Sequence, residues 1–180
     1  MEWYNEPQEW AAQGNTVTVT SDAKTDFWRK THCGSIRDNG HFFFQAATGD
    51  FIAEVKFSGE YTDLYDQAGL MVRVDEAHWI KCGIEFVEGV QHVSAVVTRD
   101  YSDWSVVPLL QKPSALWLRV TRKGSTIEVH YSLDGDHYSL LRVAHLAAAE
   151  TVHVGLMCAS PEGSGFSTTF EGLTVQGVFA

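Results

Sequence analysis

The chain has few basic residues, few cysteines and few prolines. Its 180 residues include 13 Lys and Arg against 23 Asp and Glu, with only 3 Cys and 4 Pro. The formal net charge is −10, and the densest basic stretch is RVTRK at 119–123. Nucleic acids and anionic membranes are bound through clustered cations. We therefore expect no nucleic-acid partner and no membrane partner.

Long apolar runs and a leader-like start are also missing. No apolar stretch approaches the roughly 20 residues that span a bilayer. The first ten residues, MEWYNEPQEW, are acidic and have no apolar centre. These two features predict a cytoplasmic protein.

The cysteines fit a reducing compartment, because an odd number without paired spacing does not indicate a disulfide framework. Cys82 and Cys158 fall in the apolar registers of predicted strands, so we expect buried thiols there. Cys33 follows His32, and a neighbouring histidine can assist a thiolate. Adjacency in sequence alone is weak support for a reactive Cys33, so we predict no catalytic residue at this stage.

No metal or cofactor is predicted either. The 8 histidines include no pair at the HxH or HxxxH spacing of zinc ligands. The acidic pair Asp134 and Asp136 flanks Gly135, and a tight hairpin turn accounts for this Asp-Gly pattern without a bound cation.

Alternation of apolar and polar residues dominates the chain, whereas helical periodicity is almost absent. The pattern predicts twelve strands, at 15–21, 41–46, 50–59, 66–74, 78–87, 91–99, 104–109, 115–123, 126–132, 138–146, 152–160 and 167–177. One short helical turn is expected near 145–150. Many short strands without crossover helices predict an all-β sandwich of two antiparallel sheets with about six strands each, as a single domain over 1–180.

The outer registers of several strands carry unusual residues. In HWIKCGIEFV (78–87), Ile80, Cys82 and Ile84 share one face, while the opposite face carries Trp79, Lys81, Gly83 and Glu85. Aromatic residues and glycines on an open sheet surface indicate a covered or ligand-binding face. We therefore expect a cleft whose ligand-binding residues are Trp28, Arg29, His32, Gln67, Trp79, Lys81, Glu85, Ser94, Thr98, Asp103, Trp104 and Arg119.

Two structural alternatives remain open for this face. The chain's own loops would cover Trp79 and Trp117, or Arg119 and Glu85 would form an ion pair of purely structural value. If the face is a cleft, Gly83 keeps the groove open between Lys81 and Glu85, and Gly83→Leu should abolish ligand binding without unfolding the protein.

Three segments together resemble the DUF1349 family: TDFWRKTHCGSIRDNGHFF (25–43), YDQAGLMVRVDEAHWIKCGIEF (65–86) and SAVVTRDYSDWS (94–105). The resemblance extends from about residue 25 to 175. It implies a concanavalin A-like lectin/glucanase jelly roll of about 12–14 strands. The residues that match the family's motif positions are Trp28, Arg29, Lys81, Gly83, Glu85, Asp103 and Trp104. His32-Cys33 departs from the family's usual aromatic residue after the RKT segment. A fungal member is described as a regulator of enolase, but a fold does not supply a function.

Three functions follow as expectations. The first is non-catalytic binding of a carbohydrate or similar small polar ligand on the concave sheet, because sugar rings stack on aromatic side chains and sugar hydroxyls bind polar groups. The second is a protein–protein interaction module that modulates a metabolic enzyme. The third is a glycoside hydrolase, which usually needs two nearby carboxylates. The sequence has no ExDxE pair, and Lys81 and Glu85 should lie roughly 13 Å apart along one strand.

Overall fold

Residues 1–178 of the computed structural model are described here. Within them the chain forms sixteen strands. These are β1 Glu2–Tyr4, β2 Glu9–Gln13, β3 Thr16–Thr20, β4 Phe27–Arg29, β5 Ile36–Asp38, β6 His41–Thr48, β7 Phe51–Gly59, β8 Gln67–Arg73, β9 His78–Val87, β10 Val90–Arg99, β11 Tyr101–Pro108, β12 Leu116–Lys123, β13 Thr126–Ser132, β14 Ser139–His145, β15 Thr151–Ala159 and β16 Ser167–Gly177. The described residues contain no helix long and apolar enough to cross a membrane.

Fourteen of these strands form two seven-stranded antiparallel sheets. The first sheet has the order β1-β6-β15-β8-β9-β10-β11, and the second has the order β14-β13-β12-β7-β16-β3-β2. Strands β4 and β5 pair only with each other. The predicted all-β sandwich is confirmed, and each sheet is one strand wider than expected.

The predicted alternation selects the side chains that fill the space between the sheets. Ile80, Cys82 and Ile84 of β9 are buried there, together with Leu70 of β8 and Leu118 of β12 from the two facing sheets. A one-residue shift in register would turn these apolar side chains outward and place Lys81 and Glu85 in the apolar core. The hydrophobic pattern therefore fixes the register.

A second apolar layer covers part of the outer face of the first sheet, which is the face turned away from the core. The β4–β5 hairpin lies over this face and buries Phe27 completely. Phe27 packs edge-on against Trp79, with ring centroids 6.2 Å apart. The remaining buried members of this outer cluster are Phe42, Phe44, Met71, Val96 and Met157. The alternative in which the chain itself covers Trp79 is therefore the correct one.

Ionic contacts fix the β4–β5 hairpin to the first sheet. Arg73 of β8 forms a two-pronged ion pair with Asp38 of β5, at 2.6 and 2.8 Å. The same carboxylate accepts the hydroxyl of Tyr4 at 2.8 Å. At the other end of the hairpin, Arg29 and Lys30 both bind Asp100, which follows β10. The hairpin is thus held on both sides of the outer cluster.

Two details of the predicted secondary structure differ from the structure. Strands β1, β2, β4 and β5 were not predicted, because three of them have only three residues and β2 is exposed throughout, so none shows a clear alternation. The helical turn expected near 145–150 is wrong. Instead, the Arg122 guanidinium donates hydrogen bonds to the carbonyls of Gly49, Ala149 and Glu150. Two of these acceptors belong to the 145–150 segment, so the side chain of Arg122 satisfies its backbone carbonyls while the segment stays non-helical.

The expectation for Gly83 is also wrong. Gly83 of β9 lies directly opposite Gly69 of β8. A Cβ atom on Gly83 would collide with the backbone of Ala68, and one on Gly69 would collide with the backbone of Cys82. The two glycines are needed because the strands approach each other closely there. A side chain at 83 therefore disturbs the sheet before it can affect any ligand.

We expect Gly83→Leu to reduce the free energy of unfolding by about 3 kcal/mol or more, because the collision is with backbone and φ is +154°. Urea denaturation measures this loss. Gly89→Ala is the control: Gly89 also has a positive φ but has open space around it, so it should cost only about 1 kcal/mol of backbone strain. A Gly83→Leu variant as stable as the wild type would contradict the close-approach explanation.

Candidate functional site

A pocket of about 710 Å³ opens on the outer face of the first sheet, beside the β4–β5 hairpin. Its floor comes from β8 and β9, one wall from the hairpin, and the opposite wall from β11. Its lining residues are Asp26, Trp28, Thr31, His32, Cys33, Ser35, Arg37, Tyr65, Gln67, Lys81, Glu85, Ser102, Asp103, Trp104, Ser105, Arg142, Pro161 and Glu162. This size is in the ordinary range for small-molecule sites.

Lys81 is almost fully buried in the floor and has fixed partners. Its Nζ donates to Asp26 Oδ1 at 3.1 Å and to the Phe27 carbonyl at 2.6 Å. The ammonium therefore joins β9 to the strand entering the hairpin. Because Asp26 also accepts the backbone N–H of Phe27 at 2.8 Å, the buried charge is paired and hydrogen-bonded, as burial requires.

Glu85 lies on the same face of β9, and its side chain is also buried. Its Oε2 accepts hydrogen bonds from Ser94 Oγ at 2.8 Å and from Trp104 Nε1 at 2.7 Å. Burial raises the pKa of this carboxyl, outweighing the Lys81 ammonium and the two hydrogen bonds. Within residues 1–178, Oε1 has no hydrogen-bond partner, and Glu85 lines the pocket. A ligand that donates a hydrogen bond fits this oxygen.

Between Lys81 and Glu85 the floor has a small depression, which we call the floor recess. It has a volume of about 10 Å³. Its lining is made by Gln67, Lys81, Cys82, Gly83, Ile84, Glu85, Ser94 and Met157. A space of this size holds about one water-sized group.

Aromatic rings form the walls above this recess. Trp104 of β11 is 41% exposed, and its indole N–H is held by Glu85. Tyr65 meets it edge to face, with ring centroids 6.1 Å apart. On the hairpin side, Trp28 donates its indole N–H to the Thr31 carbonyl at 2.9 Å. Both tryptophans thus have their polar atoms engaged within the protein, which leaves their apolar surface for the pocket.

The structure brings together most of the predicted site residues. Those that line the pocket are Trp28, His32, Gln67, Lys81, Glu85, Asp103 and Trp104. Ser94 lines only the floor recess, and its hydroxyl orients Glu85 by donating to Oε2. These eight residues therefore lie on one surface, and their roles in binding a ligand stay predictions.

Three other predicted residues lie on the same sheet or its hairpin but outside the pocket. Trp79 is 1% exposed and belongs to the outer cluster beneath Phe27. Thr98 is completely buried and shares a hydrogen bond with Ser102 at 2.8 Å. Arg29 is engaged with Asp100 at 3.1 Å. The expectation that these side chains line the cleft is wrong. Trp79 and Thr98 are covered, and the charge of Arg29 is paired with Asp100.

Arg119 lies on the second sheet, so its predicted place in the cleft is also wrong. It pairs with Glu54 at 2.6 Å and lies over the ring of Tyr138 at 4.0 Å. Alternation identified its outward direction correctly but carries no information on which sheet the strand joins. The suggested Arg119–Glu85 pair is excluded for the same reason. Trp117, on the same strand, is instead covered by the turn at Gly135.

Several pocket residues were not predicted from the sequence. Asp26, Tyr65, Arg37 and Arg142 come from loops, a three-residue strand and the edge of the opposite sheet. Arg142 of β14 donates to Ser105 of β11 at 3.1 Å, so it bridges the two sheets at their edge. The DFWR segment offered one available signal, because an acid directly before buried aromatic residues is a natural partner for a buried lysine.

The cysteines show no sign of cross-linking. All three are free, with Cys82 and Cys158 buried as expected. Burial raises the pKa of the Cys82 thiol to about 12. Cys33 is exposed at the pocket rim, where its hydrogen bond with Ser35 lowers the pKa of the thiol. Among residues 1–178, no group of three His, Cys, Asp or Glu side chains is arranged to hold a metal ion.

The two facing antiparallel sheets form a jelly-roll β-sandwich. The chain aligns with the GH43 protein BlXynB mutant (K247S) of Bacillus licheniformis at a TM-score of 0.70 and 14% identity, covering 96% of this chain and 36% of that one. The carbohydrate-binding module CBM66 of Bacillus subtilis aligns at a TM-score of 0.59 and 13% identity, covering 97% and 94%. At these identities the likeness shows the fold alone.

The sequence comparisons identify the family. The chain belongs to the family described as "Protein of unknown function (DUF1349)", which it matches over residues 3–178. It is 39% identical over 168 residues to "Regulation of enolase protein 1" of Saccharomyces cerevisiae, covering 93% of this chain and 85% of that protein. The crystal structure of a functionally unknown protein from Saccharomyces cerevisiae aligns at a TM-score of 0.95 and 37% identity, covering 99% and 97%. The resemblance stated from the three sequence segments is confirmed.

Lys81→Ala should reduce the free energy of unfolding by about 3 kcal/mol, because it leaves the partly buried Asp26 carboxylate and the Phe27 carbonyl without their partner. Lys56→Ala is the matched control. Lys56 pairs with Glu171 at 2.7 Å, but both side chains are at least one-third exposed, so about 0–1 kcal/mol is expected. Urea denaturation measures both. Equal losses for the two variants would show that Lys81 does not anchor the hairpin.

Glu85→Gln should raise the free energy of unfolding at pH 7. The pKa of Glu85 is raised in the folded protein, so ionisation costs stability as pH rises from the unfolded value of about 4.3 through the folded one. The gain should disappear below about pH 4, where the carboxyl is protonated in both states. Thermal denaturation across this range measures it. A gain that persists unchanged in acid would point to packing instead.

Proposed function

We propose that the pocket binds a carbohydrate or similar small polar ligand without catalysis. The observation that carries the proposal is Glu85: a buried carboxylate whose Oε1 has no partner in the described chain, in a pocket with Trp28 and Trp104 among its lining residues. Burial of most of this side chain disfavours the charged form of the carboxyl, and a ligand that donates a hydrogen bond to Oε1 would stabilise that form. The apolar ring faces of such a ligand would pack on the tryptophans.

The fixed positions of the polar groups support binding. Ser94 and Trp104 hold one oxygen of Glu85 so that the other remains available. Gln67 and Lys81 have their own protein partners, which keep the recess open without any ligand. Preorganisation of this kind reduces the ordering cost of binding. We also propose a cytoplasmic location, which the three free thiols support.

Glycoside hydrolysis is a weaker candidate for this pocket. A glycosidase needs one carboxyl as acid and a second as nucleophile or base. Glu85, with its raised pKa, has the character of the acid. The neighbouring Asp26 is bound by Lys81 and by the Phe27 N–H, so it is poorly suited to attack a sugar or activate water. We therefore favour binding over hydrolysis.

A protein-interaction role is the second candidate, favoured by exposed apolar side chains at neighbouring strand edges. Val107 of β11 and Leu140 and Val143 of β14 are each at least 50% exposed, and these strands form edges of the two sheets. The relative named for regulation of enolase suggests a metabolic enzyme as the partner. A complex lost in Trp104→Ala but kept in Glu85→Ala would favour this role over ligand binding.

Calorimetric titration against a panel of neutral mono- and oligosaccharides tests the main proposal. We expect at least one sugar to bind at millimolar affinity or better, and Glu85→Ala to weaken it by about 10- to 100-fold, since a hydrogen bond to a charged group contributes about 1.5–3 kcal/mol.

The matched control is Glu171→Ala, because Glu171 is a half-exposed carboxylate of the second sheet, remote from the pocket lining. It should leave the affinity unchanged. No binding by any sugar in the panel, or equal loss in both variants, would contradict the proposal.

A further inference from the structure

We infer that Gln67 and Glu85 together form a subsite for two neighbouring hydroxyl groups, so that the pocket selects ligands that carry a vicinal diol. This inference rests on the proposed function and adds to it the hydroxyl pattern that the site recognises. It assigns to Gln67 the role of a specificity-determining residue. The observations that carry it are two available acceptor oxygens on adjacent strands, their fixed orientation and an ammonium donor beside them.

The two side chains are neighbours on the floor of the pocket. Gln67 of β8 and Glu85 of β9 lie directly opposite each other in the antiparallel strand pair. Side chains at opposite positions project from the same face, with Cβ atoms about 4.5–5.5 Å apart. Both residues line the pocket, and both also line the floor recess. A ligand that reaches one of these side chains is therefore close to the other.

Each of the two side chains keeps one oxygen for a ligand. Gln67 Nε2 donates to the Tyr65 carbonyl at 3.1 Å and to Asp26 Oδ1 at 3.5 Å. Because both partners are acceptors, the hydrogen-bond network assigns this end of the amide to nitrogen and the other end to Oε1. Within residues 1–178, Oε1 of Gln67 has no hydrogen-bond partner, and the same holds for Oε1 of Glu85. Neither oxygen is sealed from solvent, so the floor presents two acceptors side by side.

The surrounding protein fixes both acceptors before any ligand binds. Ser94 and Trp104 hold Glu85 through its Oε2, and the Tyr65 carbonyl holds the amide of Gln67. Tyr65 itself has a φ of +68°, in the left-handed region that a bulky side chain rarely adopts. Backbone strain of this kind is concentrated at ligand-binding positions. Here the strained residue supplies the carbonyl that orients Gln67, and this preorganisation reduces the cost of binding.

A neutral hydroxyl suits this floor better than a cation or an anion. The ammonium of Lys81 lines the same floor and has three N–H donors, of which Asp26 and the Phe27 carbonyl accept two. A hydroxyl group donates one hydrogen bond and also accepts, so it can bind an acceptor oxygen and the remaining N–H of Lys81 together. An ammonium would be repelled by Lys81, and a carboxylate would have no proton to donate to Gln67 or Glu85.

The test compares trans-1,2-cyclohexanediol, trans-1,4-cyclohexanediol and cyclohexanol, which share a ring and differ in the number and spacing of their hydroxyls. Each is titrated into the full chain at about pH 7, and the NMR signal of the Trp104 indole N–H, which binds Glu85, reports binding. The 1,2-diol should bind about three- to tenfold more tightly than the other two alcohols, the effect of one additional hydrogen bond to a neutral acceptor.

Gln67→Met removes the acceptor oxygen and keeps a side chain of similar length. It should reduce the preference for the 1,2-diol to less than about twofold. Gln176→Met is the matched control, because Gln176 is an exposed residue of β16 on the second sheet, and it should leave the preference unchanged. The preference is a ratio measured within one variant, so a general loss of stability does not imitate its loss. The comparison in the wild-type protein decides the hydroxyl spacing even if Gln67→Met does not fold.

The outcomes separate this inference from the carbohydrate proposal. A preference for the 1,2-diol without binding of any neutral sugar would support the diol subsite, while carbohydrate binding fails. Sugar binding together with equal affinities for the three ring alcohols would overturn the diol subsite and leave carbohydrate binding in place. Tightest binding of the 1,4-diol, no binding of any ring alcohol, or a preference that survives Gln67→Met would also overturn the inference.

Discussion

The buried ammonium of Lys81 is the interaction on which the outer half of this structure depends. A charge placed on a sheet face must be solvated or paired, and the β4–β5 hairpin removes it from water. Asp26 and the Phe27 carbonyl provide the pairing. Because these two groups flank the start of the hairpin, the lysine that needs burial also positions the segment that buries it. Phe27, in turn, covers Trp79 and closes the outer cluster.

The pocket follows from the incomplete coverage of that face. The hairpin extends over β8, β9 and part of β10 but leaves Glu85 beside β11, where Trp104 forms the opposite wall. Lys81 and Glu85 therefore lie on the same face of β9 and are both buried, but their surroundings differ. Lys81 has two hydrogen-bond partners inside the protein, one of them a carboxylate. Glu85 has one oxygen satisfied and the other open to the pocket, so a ligand can supply what the fold does not.

The fold is shared by very different sequences, so it does not determine the chemistry of the pocket. Sandwiches that align over nearly the whole chain at 13–15% identity occur in GH43 proteins, which shows that this architecture accommodates very different sequences. The particular chemistry of the present pocket comes from a few positions on β8, β9 and β11 and from the hairpin above them. These positions, more than the architecture, would determine which ligand the proposed site accepts.

Alternation along the chain determined the in-or-out direction of nearly every core residue, including Ile80, Cys82 and Ile84, because the side-chain period of a strand is fixed at two. It also brought Lys81 and Glu85 to one face. It did not determine which sheet β12 joins, so Arg119 was assigned to the wrong surface, nor that a hairpin of two three-residue strands covers Trp79 and Thr98. Strand pairing and loop packing depend on contacts between residues distant in sequence, such as Lys81 with Asp26 and Arg142 with Ser105. No local pattern encodes those contacts, and only the tertiary structure decided them.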